Sequence, residues 1–351
     1  METIEEMIPG LDKIDRYIAC FLPDEKKDTK EWISYILTGE TILNPAEFVK
    51  KIGELLTSYG QEWKKLFFSI LLLFLVSAML SSFMEAFKSA GSAKAAKLLF
   101  LLCELVIVIR VWKSIEEIAQ SSMTQMLEFM KIVVPGFMSC LAVTGSITTA
   151  MIFQKLILGT IAVIEAMVVS SVFPLLKVYI AFATVETVTG EGRFLGMMEL
   201  IKKSVHYITN GCIVLLSASQ TLQLLITPII DKTNVNLVRK TAAAIPGIGD
   251  LTESVSSITL ASMIAIKNSF GVVILLVLVI MVIAPVIKIF GLLWTLKLSS
   301  AVGMIGGDKD MSHCISYITE AGFLTLRMII MMTALFLMTI ALLTNATGGV
   351  G

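Results

Sequence analysis

The sequence predicts an all-α, polytopic helical membrane protein, and three observations carry that prediction. Apolar residues make up 56% of the chain and charged residues only 16%, against roughly a quarter charged in an ordinary soluble domain. Mean hydropathy is +0.85. Apolar runs repeatedly approach the roughly 20 residues that a helix needs to cross a hydrocarbon core, as in LFFSILLLFLVSAMLSSF at 66–83. The 28 basic and 28 acidic residues cancel, which argues against a nucleic-acid partner, since that needs a concentrated basic surface.

Residues 1–65 form the sizeable polar region, a string of short amphipathic helices punctuated by Pro23, Pro45 and Gly60. Such a region sits on the membrane surface or against partners and is too short and polar to build its own active site. Residues 66–132 hold two membrane segments, 66–83 and 98–112, and an amphipathic helix at 113–131. Glu104 and Arg110 lie inside the second segment. Six residues apart, they do not share a helix face, so each calls for a partner on another helix or for the interface. The 113–131 helix reads as interfacial or as a packed cytoplasmic one, with Ile115, Ile118, Met123, Met126, Leu127 and Met130 on one side.

Further strong spans follow at 156–176 (with Glu165), 207–230 (with Gln220 and Gln223), 270–290 (with Pro285) and 326–344. That gives six in all. Two weaker segments, 133–154 and 242–267, each start near a Pro-Gly pair, Pro135-Gly136 and Pro246-Gly247, and are rich in small or hydroxylated residues. Proline lacks a donor and clashes with the preceding turn. The expectation is therefore two interrupted or re-entrant segments, tolerated at membrane depth only within protein or beside water.

These weak segments open an internal duplication, 133–240 against 241–351. An offset of 111 takes Pro135-Gly136 to Pro246-Gly247, Ser146-Ile147-Thr148 to Ser257-Ile258-Thr259, Pro174 to Pro285 and Lys177 to Lys288. An offset of 110 takes Tyr207-Ile208-Thr209 to Tyr317-Ile318-Thr319. The Pro-x-x-Lys elements place a cation about one turn beyond each proline, where it lines a water path, meets a headgroup or pairs with an acid. Asp250 and Glu253, three apart, share a helix face just past the second Pro-Gly pair. There they line a path or form an ordinary acidic first turn. Duplicated halves with broken helices occur in secondary transporters.

No nucleotide-binding, zinc-protease or hydrolase motif is present. Five scattered cysteines, without a CxxC pair, indicate neither a disulfide framework nor a metal site. His206 and His313 precede later spans and read as surface caps. The expectation is a non-enzyme without a cofactor.

The text AAAIPGIGDLTESVSSITLASMIAIKNSFGVV, then APVIKIFGLLWTLKLSSAV and GGDKDMSHCISYITEAG, resembles the stage III sporulation protein AE family of endospore-forming bacteria. The resemblance implies a multi-pass protein of the mother-cell membrane facing the forespore, acting in endospore formation. Its implied partners are the other stage III sporulation proteins of the same operon and a forespore membrane protein. Together they would form a channel or secretion complex, with an ATPase encoded alongside supplying energy. Members begin with a cleavable signal sequence, and METIEEMIPGLDKIDRY lacks that layout. The expectation is a mature or trimmed form whose residues 1–65 lie outside the cytoplasm. Three functional readings follow: a self-associating pore or gate subunit, a non-conducting scaffold, and a stand-alone transporter.

Overall fold

The computed structural model describes residues 12, 14–16, 28–39, 45–86, 90–144, 147–190, 192–242, 249–305 and 309–345. Among them the elements are α1 (Thr29–Thr38), α2 (Pro45–Ala86), α3 (Ala90–Thr144), α4 (Ile147–Met167), a π-helical turn (Val168–Val172), α5 (Phe173–Thr189), α6 (Leu195–Ala242), α7 (Gly249–Ile305) and α8 (Lys309–Asn345). α4, the π turn and α5 form one rod. Helices are what an apolar chain must make here, since each backbone N–H and C=O finds its partner within the segment.

All six strong spans fall inside these helices. Three stretches of the described residues are long and apolar enough to cross a membrane: Ala150–Thr189, Ala261–Ile305 and Asp310–Thr344. The segments 66–83, 98–112 and 207–230 are helical too, and each includes side chains outside the described set. α7 has 57 residues, about 85 Å of helix, against a hydrocarbon core of roughly 30 Å. Much of the bundle therefore extends past any one bilayer core.

Ladders of contacts fix the sense of the helices. α6 and α8 run the same way, tied by Lys202 to Glu320, His206 to Arg327 and Gln220 to Thr339. α3 runs opposite to the rod, with Lys131 on Glu165 near the connection and Glu116 on Lys177 farther from it. α7 runs opposite to α8, pairing Ser300 with Ser312 at one end and Lys267 with Thr344 at the other. The rod–α6 and α7–α8 hairpins thus point the same way, unlike the halves of an inverted repeat.

α7, α8 and α3 make the centre. Phe137 of α3 stacks on Phe270 of α7 at 6.0 Å, both fully buried. α1 packs on α7, with Trp32 and Ile33 completely buried. The polar N-terminal region is therefore partly docked on the bundle.

The structure departs from sequence expectation at named places. Pro135 does not start a segment: it lies inside α3, which is helical to Thr144. Losing one N–H there frees the Lys131 carbonyl, a cost that a long and closely packed helix absorbs. Pro246 and Gly247 lie outside the described residues. α7 likewise continues through Pro285. The 113–131 helix is the middle of α3 rather than a separate interfacial element. Its apolar side, Ile115, Met123, Met126, Leu127 and Met130, is buried in the bundle. The polarity changes near 65 and 132 fall within α2 and α3 and do not end them.

At Gly291 of α7 an added Cβ would fall inside the indole of Trp63 from α2. Alanine is otherwise the better helix former by ~1 kcal/mol. Gly291→Ala is expected to lower stability in detergent by about 1–3 kcal/mol, read from thermal unfolding. Trp63→Ala in the same chain should recover part of the loss.

Candidate functional site

The two Pro-x-x-Lys elements are placed alike. Pro174 stands just after the π turn Val168–Val172. The wider turn makes room for a ring that would clash with the carbonyl one turn back. Lys177, one turn on, lies 2.9 Å from Glu116 of α3. Pro285 precedes Lys288, which lies 3.6 Å from Glu62 of α2 and 5.1 Å from the centre of the Tyr59 ring. Each proline-bearing helix is thus pinned, one turn past the proline, to an acid on a different helix. Both lysines meet an acid on another helix. The Glu116 side chain is 11% exposed against 60% for Lys177, so the pair is screened from one side only.

Polar groups also bind the hairpins to each other. Glu320 of α8 receives Lys202 at 2.9 Å and the Tyr179 hydroxyl at 3.3 Å, joining α8, α6 and α5. Gln220, buried, donates its amide to Thr339 Oγ1 at 3.1 Å and the Leu335 carbonyl at 3.4 Å. Glu165 pairs with Lys131 at 2.6 Å. That neutralises both charges at a level where the rod is apolar. Glu104 is buried and Arg110 exposed, and the structure does not bring them together. Gly136 is buried and Pro135 half-buried in α3. The side chains of Gln223, Asp250 and Glu253 lie outside the described residues.

Two groups escaped the sequence reading. Lys267, completely buried, donates to the Thr344 carbonyl at 2.9 Å. A cation is favourable there because the last carbonyls of a helix carry partial negative charge. Its signal was a lone lysine in an apolar run. Glu186, also buried, accepts from the Gly192 N–H at 2.5 Å and the Phe194 N–H at 3.0 Å. It closes the turn from α5 to α6 through Gly190 and Gly192, whose φ of 65° and 72° only glycine adopts cheaply. The signal was an acid shortly before a Gly-x-Gly.

What this arrangement does is tie helices to one another. Among the described residues no group of three or more His, Cys, Asp or Glu could hold a metal ion. An interior void between Met130, Thr160, Ser219, Phe336 and Thr339 measures about 10 Å³, room for one water at most. A larger hollow of about 400 Å³ is open and lies on the outside of α3, lined by Glu117, Gln120, Ser121, Thr124 and Gln125. Neither is a tunnel through the chain.

Comparison with known proteins gives one consistent result. The family model for stage III sporulation protein AE matches residues 27–347. The stage III sporulation protein AE of Bacillus subtilis (strain 168) is 18% identical over 326 residues, which cover 93% of this chain and 81% of that protein. No solved structure matches.

Removing the Glu186 acceptor leaves two N–H groups of an exposed turn to water. Glu186→Ala should cost about 1–2 kcal/mol and Glu186→Gln less, measured by unfolding in detergent. At Lys267, a glutamate would face a carbonyl. Lys267→Glu is expected to destabilise by about 3–5 kcal/mol, while Lys267→Met stays near neutral.

Proposed function

The chain belongs to the stage III sporulation protein AE family and acts in sporulation, and on that premise we propose that it is a membrane-embedded gate or pore subunit of a channel or secretion complex between mother cell and forespore. The complex would be completed by other stage III sporulation proteins of the same operon and by a forespore membrane protein, with this chain in the mother-cell membrane. The observation that carries the reading is the pair of charge latches. Lys177 on Glu116 and Lys288 on Glu62 each tie a helix just beyond its proline to a neighbouring helix. Proline is where a helix bends most easily, so releasing a latch frees the half-helix beyond it. The wall and the moving part would then be the same helices.

The scaffold reading draws on a different observation. The interior is filled with apolar side chains around Phe129, Phe137, Phe270 and Phe336, and a chain packed in this way conducts nothing through its own middle. A gate closed until partners bind has the same interior. The stand-alone transporter gains least: Glu165, its natural coupling group, is held by Lys131.

Charge swaps test the latches. Lys177→Glu or Glu116→Lys alone should shift passage of a small tracer across reconstituted membranes by about two- to fivefold, and the double swap should restore it. The same holds for Lys288 and Glu62. If single and double variants all conduct alike, or none conducts under any condition, the gate reading fails and the scaffold reading takes its place.

A further inference from the structure

The exterior of α3 changes character along its length. From 98 to 109 its exposed large side chains are apolar: Leu98, Leu99, Leu102, Val106 and Ile109. From 113 to 131 every exposed residue is polar: Lys113, Glu117, Gln120, Ser121, Gln125, Glu128 and Lys131. Their spacing of three or four keeps them on one stripe, about 27 Å long, close to the hydrocarbon thickness.

The stripe's level in the bundle is fixed by contacts. Glu116 meets Lys177 at one end and Lys131 meets Glu165 at the other, so the stripe runs beside the rod's apolar stretch Ala150–Thr189. Met126, on the opposite face of α3, receives the Thr333 hydroxyl from the middle of the apolar stretch Asp310–Thr344. Where the bilayer covers this level, an exposed polar face is costly against lipid, and water or protein is its cheaper neighbour. Glu117, Gln120, Ser121, Thr124 and Gln125 form a shallow, open surface along the stripe.

We propose that this stripe is one wall of a water-filled passage that further copies of this chain complete, each contributing its own α3. The inference rests on the pore reading above and places the path outside the single chain. Two features favour copies of the same chain. The stripe's two lysines, Lys113 and Lys131, balance its two glutamates, Glu117 and Glu128, so repeated stripes face one another without net repulsion. On the adjacent α4, Gly159, Ala162 and Ala166, with Ser170 beyond them, are small and exposed, and beyond Gly159 there is open space. Small outward residues allow a neighbouring helix to pack closely.

The test uses the full chain in native membranes or proteoliposomes, with Cys20→Ser and Cys103→Ser and the buried cysteines retained. Gln120→Cys, Ser121→Cys and Gln125→Cys report on the stripe. Met151→Cys and Val163→Cys report on the rod exterior. A charged, membrane-impermeant thiol reagent should modify the stripe positions at least about tenfold faster than the rod positions. A flexible bifunctional thiol reagent should join chain to chain at the stripe. Three results overturn the inference: stripe positions sealed from the charged reagent, Val163→Cys reacting as fast as the stripe, or cross-links running only to a different protein. Sealed stripes in a protein that still passes tracer would leave the pore reading standing with its path elsewhere. Reactive, cross-linked stripes in a protein that passes no tracer would support the shared wall and overturn the pore reading instead.

Discussion

Lipid tails are as apolar as leucine, so the force that presses soluble helices together is largely absent between helices in a bilayer. What holds α7 against α8 is close approach and a few polar ties. Gly271 leaves room for Thr344, and Gly322 leaves room for Leu293. Ser300 donates to the Ser312 carbonyl near the turn, and Lys267 donates to the Thr344 carbonyl at the far end. The hairpin is thereby clamped at both ends. α1, α2 and α3 pack on α7, while α3, α5 and α6 pack on α8. Loosening the hairpin would loosen every layer built on it.

The charges follow from the same constraint. An unpaired ion at bilayer depth is costly, and four lysines in or beside the apolar stretches meet an acid or a carbonyl: Lys131 with Glu165, Lys177 with Glu116, Lys288 with Glu62, Lys267 with Thr344. All four join different helices, so they set register. The outward stripe of α3 differs in being exposed along its length, although Lys131 still meets Glu165 and Lys113 lies 3.7 Å from Glu117. On the proposed reading, an interior packed with apolar groups and a polar exterior at the same level put the water path between chains.

Much of the architecture was legible in the sequence. Six strong apolar spans correspond to six long helical rods, because spans of that length admit little else. The Pro-x-x-Lys elements were visible in the sequence, although the acids beside them, Glu62 and Glu116, were not, since those pairings depend on tertiary register. Pro135 misled because proline alone is a strong break signal, while packing around a long helix tolerates it. The stripe on α3 was visible as amphipathicity. Its depth was not, because that is set by which helices lie beside it. Lys267 was hidden for the same reason: only the fold brings the end of α8 to it.

The most direct measurement is an electron-microscopy structure of the full chain in a lipid nanodisc, read for copy number and for the environment of Gln120, Ser121 and Gln125. Several copies arranged with these residues facing a shared, solvated axis are the expected result. A single copy, or a compact oligomer whose α3 stripes face lipid or are sealed by apolar side chains, would contradict the placement of the path between chains.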